Sequence, residues 1–223
     1  MNTLLDFFNI NTIMFTFIGY PMSYIEFIGT ILNIWCVWLT AKGKILSWPI
    51  GIVATVLFTA LFYQIQLYSD LLEQVYFIIT GFVGWYAWAK IAPELRGKDS
   101  DIRVGINTLK RNVLWIVGIG IGTVLMTQVM GNIHLLLPMI FKEAASYPLL
   151  DAFTTVMSFA ATILLIRRKL EAWYLWILVD IIGIGLYWVK DVKFIALEYV
   201  IFLIIATAGY LKWKKIYGER KEN

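Results

Sequence analysis

Long apolar runs, broken by short polar or charged clusters, set the pattern of this chain. A helix needs roughly 20 predominantly apolar residues to cross a bilayer core of about 30 Å. Seven stretches meet that length: 24–41, 45–64, 71–91, 112–136, 148–166, 171–189 and 194–212. AKGK at 41–44, QLYSD at 66–70, the polar stretch from Lys90 to Arg103, RRKLE at 167–171 and KDVK at 190–193 separate them. Tyr24, Trp48, Tyr63, Trp88, Trp115, Tyr147, Trp173 and Trp213 sit at the run ends, where amphipathic rings meet headgroups.

Composition sharpens this picture. With 60% hydrophobic and 15% charged residues, the chain departs from soluble domains in the direction of membrane immersion. The net charge of +4 does not point to nucleic acid, because the basic residues fall between the spans. Cys36 is the one cysteine, so neither an internal disulfide nor a cysteine metal cluster can form. The N-terminal stretch lacks a basic n-region and a small-residue cleavage site. It reads as an interfacial or partly inserted helix over residues 1–23, not as a cleaved signal. Seven spans place the termini on opposite sides. Sixteen of the 19 Lys and Arg then fall on one side, and the positive-inside rule makes that side cytoplasmic, with the N-terminus outside.

An internal repeat appears at an offset of 125. Residues 26–94 align without a gap on 151–219, with 16 identities in 69 positions. Glu26 meets Asp151, Lys44 meets Lys169, Trp48 meets Trp173, Glu73 meets Glu198, Gly84 meets Gly209 and Trp88 meets Trp213. Each unit holds three spans, an odd number, and the extra span restores the second unit to the orientation of the first. The predicted fold is therefore an all-α membrane protein of seven transmembrane helices, arranged 3+1+3 as parallel three-helix repeats like the SWEET transporters. Its divisions are an N-terminal segment (1–23), a first repeat (24–94), a cytoplasmic loop with linker helix (95–145), a second repeat (146–216) and a cytoplasmic tail (217–223). Repeats of this kind predict alternating access to a substrate site near the midplane.

Polar side chains inside spans are costly and normally face a cavity or a neighbouring helix. Asn33, Thr55, Ser158 and Asp180 lie near mid-depth, paired by the repeat as Asn33 with Ser158 and Thr55 with Asp180. Glu73 with Gln74, and Glu198, lie nearer the outer ends of their spans. Gln128 and Asn132 are one turn apart in the linker span and suit helix–helix hydrogen bonding equally well. Trp173, Trp176 and Asp180 recur at +3 and +4, so they share a helical face. Two indoles and a carboxylate on one face could clamp a flat cationic ring. No GxSxG, HExxH or P-loop lysine occurs, and His134 is the one histidine, so neither an enzyme nor a metal or cofactor site is expected.

The run NIWCVWLTAKGKILSWPIG from Asn33, LYSDLLEQVY from Leu67 and EAWYLWILVD from Glu171 resemble the PnuC family of bacterial nicotinamide riboside transporters, over about residues 24–215. The resemblance implies facilitated uptake of nicotinamide riboside without ion coupling, a homotrimer in the inner membrane, and trapping of substrate by a cytoplasmic riboside kinase. Riboside transporters of that family carry Trp-x-x-Trp in the sixth span, where related thiamine transporters have Asn at the second position; Trp173-Tyr-Leu-Trp176 matches the riboside form. The substrate-binding candidates are Trp173, Trp176 and Asp180 first, then Asn33, Gln74, Gln128, Trp188 and Glu198. A thiamine transporter and a ligand-binding membrane receptor are the alternatives.

Overall fold

The computed structural model describes residues 6–17, 19–65, 68–90, 102–136, 147–189 and 193–222. A short antiparallel hairpin, β1 (Ile13–Phe17) and β2 (Tyr20–Ser23), precedes seven helices. These are α1 (Tyr24–Ala41), α2 (Ser47–Gln64), α3 (Tyr68–Ala89), α4 (Leu109–Leu136), α5 (Pro148–Ile166), α6 (Glu171–Val189) and α7 (Lys193–Glu222). All seven expected spans are helical. Six are long and apolar enough to cross a membrane by length and composition. The helix outside that set, α3, has 22 residues and so reaches about 33 Å at 1.5 Å per residue. Glu73, Gln74 and its Trp and Tyr residues dilute its apolar character without shortening it.

One expectation needs correction. Within the N-terminal segment expected to be helical, Ile13 to Ser23 form a hairpin, while Asp6 and Phe7 are helical and residues 1–5 lie outside the described residues. Gly19 at φ 80° supplies the left-handed turn residue, and the β-branched and aromatic residues of IMFTF favour extended backbone. Into the expected tail at 217–223, α7 runs on to Glu222, past the apolar run, on Lys, Arg and Glu, which are good helix formers. The loop stretch 91–101, Lys142 and Lys190 lie outside the described residues.

The chain divides into two compact units, Met1–Thr40 with Lys44–Lys90, and Ala41–Gly43 with Ile91–Asn223. In the first, glycines let helices approach closely. A Cβ on Gly51 of α2 would lie 2.8 Å from Cys36 Sγ of α1, and one on Gly81 of α3 would lie 2.8 Å from Ile52 Cγ1. The hairpin and the segment before it are tied to the helix ends. Tyr20 Oη donates to Glu26 Oε1 at 2.7 Å, and Gln64 Nε2 donates to Phe8 O at 2.7 Å. Burial, with the Glu26 carboxylate beside it, holds the Tyr20 phenol above its usual range, so it remains a donor throughout physiological pH.

In the second unit, Gly122 of α4 meets Val156 of α5. Ile119, Met157, Ala160 and Val179 form a buried cluster across α4, α5 and α6. The segment before α4 is stitched to the α5–α6 turn. Gly105 N donates to Arg168 O (3.0 Å), Leu170 N to Gly105 O (2.9 Å) and Lys169 Nζ to Ile106 O (2.9 Å). Glu171 Oε1 accepts from Asn107 N at 2.7 Å. Ile102 and Val104 are buried beneath this stitch. A hydrogen bond to a charged group contributes about 1.5–3 kcal/mol. Glu171→Ala should therefore lower amide-exchange protection at Asn107 by about tenfold or more, with α6 unchanged, as hydrogen exchange would read.

The stretches aligned at the offset of 125 share local geometry. Gly43 (φ 66°) and Arg168 (φ 56°) both end a helix in the left-handed region. Lys44 N then donates to Leu39 O, and Lys169 N to Leu164 O, each at 2.9 Å, as in a Schellman cap. Beyond each turn a tryptophan lies edge-on to a second one. Trp48 meets Trp88 at 5.3 Å and 85°, and Trp173 meets Trp213 at 5.5 Å and 87°. A glycine backs each inner ring: Gly84 behind Trp48 and Gly209 behind Trp173.

Candidate functional site

The aromatic and acidic candidates of α6 and α7 all belong to the second unit. Trp173 is 1% exposed, enclosed by Gly209 and Trp213, and its indole N–H is buried with no acceptor among the described residues. It is not an open wall for a ligand. Trp48, its partner under the offset, is enclosed the same way and also has a buried, unpartnered N–H. An unmade hydrogen bond of this kind costs about 1–3 kcal/mol. Its occurrence at both positions shows that ring shape, not hydrogen bonding, decides these sites.

Trp176 differs. It is half-buried and flanks the Ile119–Met157–Ala160–Val179 cluster together with Trp115, Phe153 and Tyr199. The offset pairs it with Gly51, so its ring belongs to the second copy alone. One turn further along α6, Asp180 is 3% exposed, and its carboxylate has no hydrogen-bond or ion-pair partner among the described residues. Glu198, on α7, is 4% exposed, and the neighbouring Tyr199 stacks on Tyr187 of α6 at 5.3 Å. Ser158 on α5 is buried as well.

The remaining candidates lie elsewhere. Asn33 on α1 and Gln74 on α3 are half-buried in the first unit, where Gln74 Nε2 donates to Asp70 O at 3.2 Å. Gln128 is exposed on α4, with its carbonyl accepting from Asn132, and Trp188 is 62% exposed near the end of α6. Thr55 donates within its own helix to Gly51 O at 2.7 Å. Sequence reasoning did not single out Tyr199 or Trp115; the signal for Tyr199 was its pairing with Gln74, an aromatic ring in one half against an amide in the other.

Buried charge has one sign. Among the described residues, Glu26, Asp151, Asp180 and Glu198 are the buried charged side chains, and all four are acids. The remaining buried polar side chains are serines and threonines. No grouping of three or more His, Cys, Asp or Glu suited to a metal occurs among the described residues.

A family model described as nicotinamide mononucleotide transporter matches residues 23–215. The chain belongs to this family. It is a multi-pass membrane transporter, not an enzyme. Relatives include the nicotinamide riboside transporter PnuC of Escherichia coli, 29% identical over 97% of each chain. The PnuC of Neisseria mucosa is 27% identical over 96% of this chain and 80% of its own. The riboflavin/roseoflavin transporter RibM of Streptomyces davaonensis is 22% identical over 92% of this chain and 91% of its own. The crystal structure of the vitamin B3 transporter PnuC shares the fold. Its TM-score is 0.70 with 24% identity, covering 88% of this chain and 83% of that one.

Proposed function

We propose that the chain carries nicotinamide riboside across the bacterial inner membrane, with Trp176, Asp180 and Glu198 as the core of its site. The observation that carries this reading is the uniformly acidic sign of the buried charge. Nicotinamide riboside is a pyridinium cation with a ribose and a carboxamide. Trp176 offers an indole face to the ring, worth about 0.5–2 kcal/mol depending on desolvation. Asp180 offers charge compensation, and Glu198 an acceptor for ribose hydroxyls. The mononucleotide named in the family description adds a phosphate dianion, which would face buried carboxylates with no buried Lys or Arg among the described residues to receive it. The relatives named for the riboside support the same choice.

Trp173 serves the frame in this reading. Its counterpart Trp48 has the same enclosure, so the first indole of Trp-x-x-Trp holds the repeat together and the second meets substrate. Gln128 and Trp188, both exposed, and Asn33 and Gln74, on the first unit, stand outside this core assignment.

The helices are read as 3+1+3, two parallel three-helix repeats with α4 as the linker, working by alternating access. The matched caps and tryptophan pairs support this arrangement. The basic bias of the loops supports a cytoplasmic C-terminus and an outside N-terminus, with the hairpin at the outer interface. Facilitated diffusion, a homotrimer and capture by a riboside kinase rest on the family resemblance.

Uptake into proteoliposomes tests the proposal. Labelled riboside should equilibrate across the membrane, show counterflow and emerge unmodified. Saturable binding without flux would mark a receptor instead. Riboflavin is the second reading, favoured by the similarity to RibM, and belongs beside thiamine among the competitors.

A further inference from the structure

The two copies of the three-helix unit hold the same aromatic layer but build it from different helices. In the first, Phe58 and Phe62 stack one turn apart on α2, with centroids 5.5 Å apart at 28°. The offset pairs Phe62 with Tyr187 and Phe58 with Gly183. The ring missing at Gly183 is supplied by Tyr199 of α7, which stacks on Tyr187 at 5.3 Å and 21°. It sits directly on the glycine, since a Cβ there would fall 2.6 Å from Tyr199 Cδ1 and Cε1. Tyr199's own counterpart is Gln74, so nothing in the first copy requires a ring at that position.

This exchange has a consequence at the site assigned under Proposed function, on which the inference rests. Trp176, Asp180 and Gly183 follow at +4 and +3, so they lie along one face of α6. Tyr199 and Trp176 flank the same buried cluster. The Tyr199 ring is held by Gly183 behind it, Tyr187 stacked on it and Phe202 edge-on at 6.0 Å. A ring fixed on three sides does not swing away to admit a larger ligand, because close-packed interiors yield by discrete rearrangement. Relatives of this chain are named for a riboside with one aromatic ring and for a flavin with three fused rings. Some residue must set that size.

We infer that Tyr199, seated on Gly183, is a specificity-determining residue that sets the size of the aromatic ring admitted beside Trp176.

Calorimetry on the purified full chain, with nicotinamide riboside and riboflavin as probes, tests it. Tyr199→Phe keeps the ring and should hold riboside affinity within about twofold, whereas Tyr199→Ala should lose about tenfold or more for riboside and gain measurable riboflavin binding. Gly183→Ala leaves the phenol intact but unseats it, and should weaken riboside as Tyr199→Ala does. A merely structural Tyr199 would weaken both ligands together in Tyr199→Ala, and that result, or no change in either, overturns the inference. Wild-type protein that binds neither probe would instead overturn the substrate reading. The seat is then decided by the fluorine resonance of 5-fluorotryptophan at position 176, assigned by its loss in Trp176→Phe. Gly183→Ala must shift it and Tyr199→Phe must not; an unmoved resonance in Gly183→Ala overturns the inference.

Discussion

Asp180→Asn should weaken nicotinamide riboside binding by about 10- to 100-fold, the range set by a hydrogen bond or contact to a charged group. The same change should leave the ligand-free protein as stable as before or more so. The two signs follow from one fact. Asp180 is 3% exposed, stands in the middle of α6, and has no hydrogen-bond or ion-pair partner among the described residues. A carboxylate withdrawn from water without a cation is costly, and the isosteric amide removes that cost. On the proposed reading, the compensating charge arrives with the substrate. Thermal unfolding and calorimetry on the same preparation read both signs. A substitution that lowered stability and left affinity untouched would make Asp180 a structural residue and remove it from the site.

The second large effect lies at Gly84. A Cβ there would fall 2.3 Å from two atoms of the Trp48 ring, against 2.8 Å for the equivalent approach of Gly209 to Trp173. These are side-chain atoms of a large, enclosed ring, with Trp88 edge-on at 5.3 Å limiting its retreat. Overpacking of this kind costs about 1–3 kcal/mol. Gly84→Ala should sit at the upper end of that range and Gly209→Ala lower, both read as a fall in the thermal midpoint. Neither change touches Trp176 or Asp180, so the preference for riboside over thiamine should survive in whatever protein folds. A Gly84→Ala protein of unchanged midpoint would show that the Trp48 ring has room to move, contrary to its enclosure.

The helices were legible because their signal is crude and strong. A run of about 20 apolar residues has few structural solutions in a membrane, where each backbone polar group must be satisfied within its own helix. The span bounds read from sequence therefore agree with α1, α5 and α6 at both ends. The hairpin was not legible. IMFTF and YPMS are short, apolar and broken by Gly19, and a short apolar run does not distinguish a strand from an inserted helix by periodicity.

The candidate site was legible in part, for a similar reason. The +3 and +4 spacing of Trp173, Trp176 and Asp180 fixed a face but not what that face meets. Two tryptophans three residues apart look alike in sequence, yet Trp173 closes a frame that Trp48 closes in the other unit, while Trp176 has only Gly51 as its counterpart. Comparing the two halves position by position separates residues that build the repeat from residues that one half alone possesses. Tyr199 was missed because its role depends on what is lacking in another helix, the ring at Gly183.

Calorimetry of the purified protein against nicotinamide riboside, its mononucleotide and thiamine, with Trp176→Asn measured alongside, tests the central claim most directly. The account predicts selective riboside binding, weaker by at least about tenfold for the mononucleotide and for Trp176→Asn. Mononucleotide binding equal to or tighter than riboside binding would contradict it, since a phosphate cannot be received among buried carboxylates.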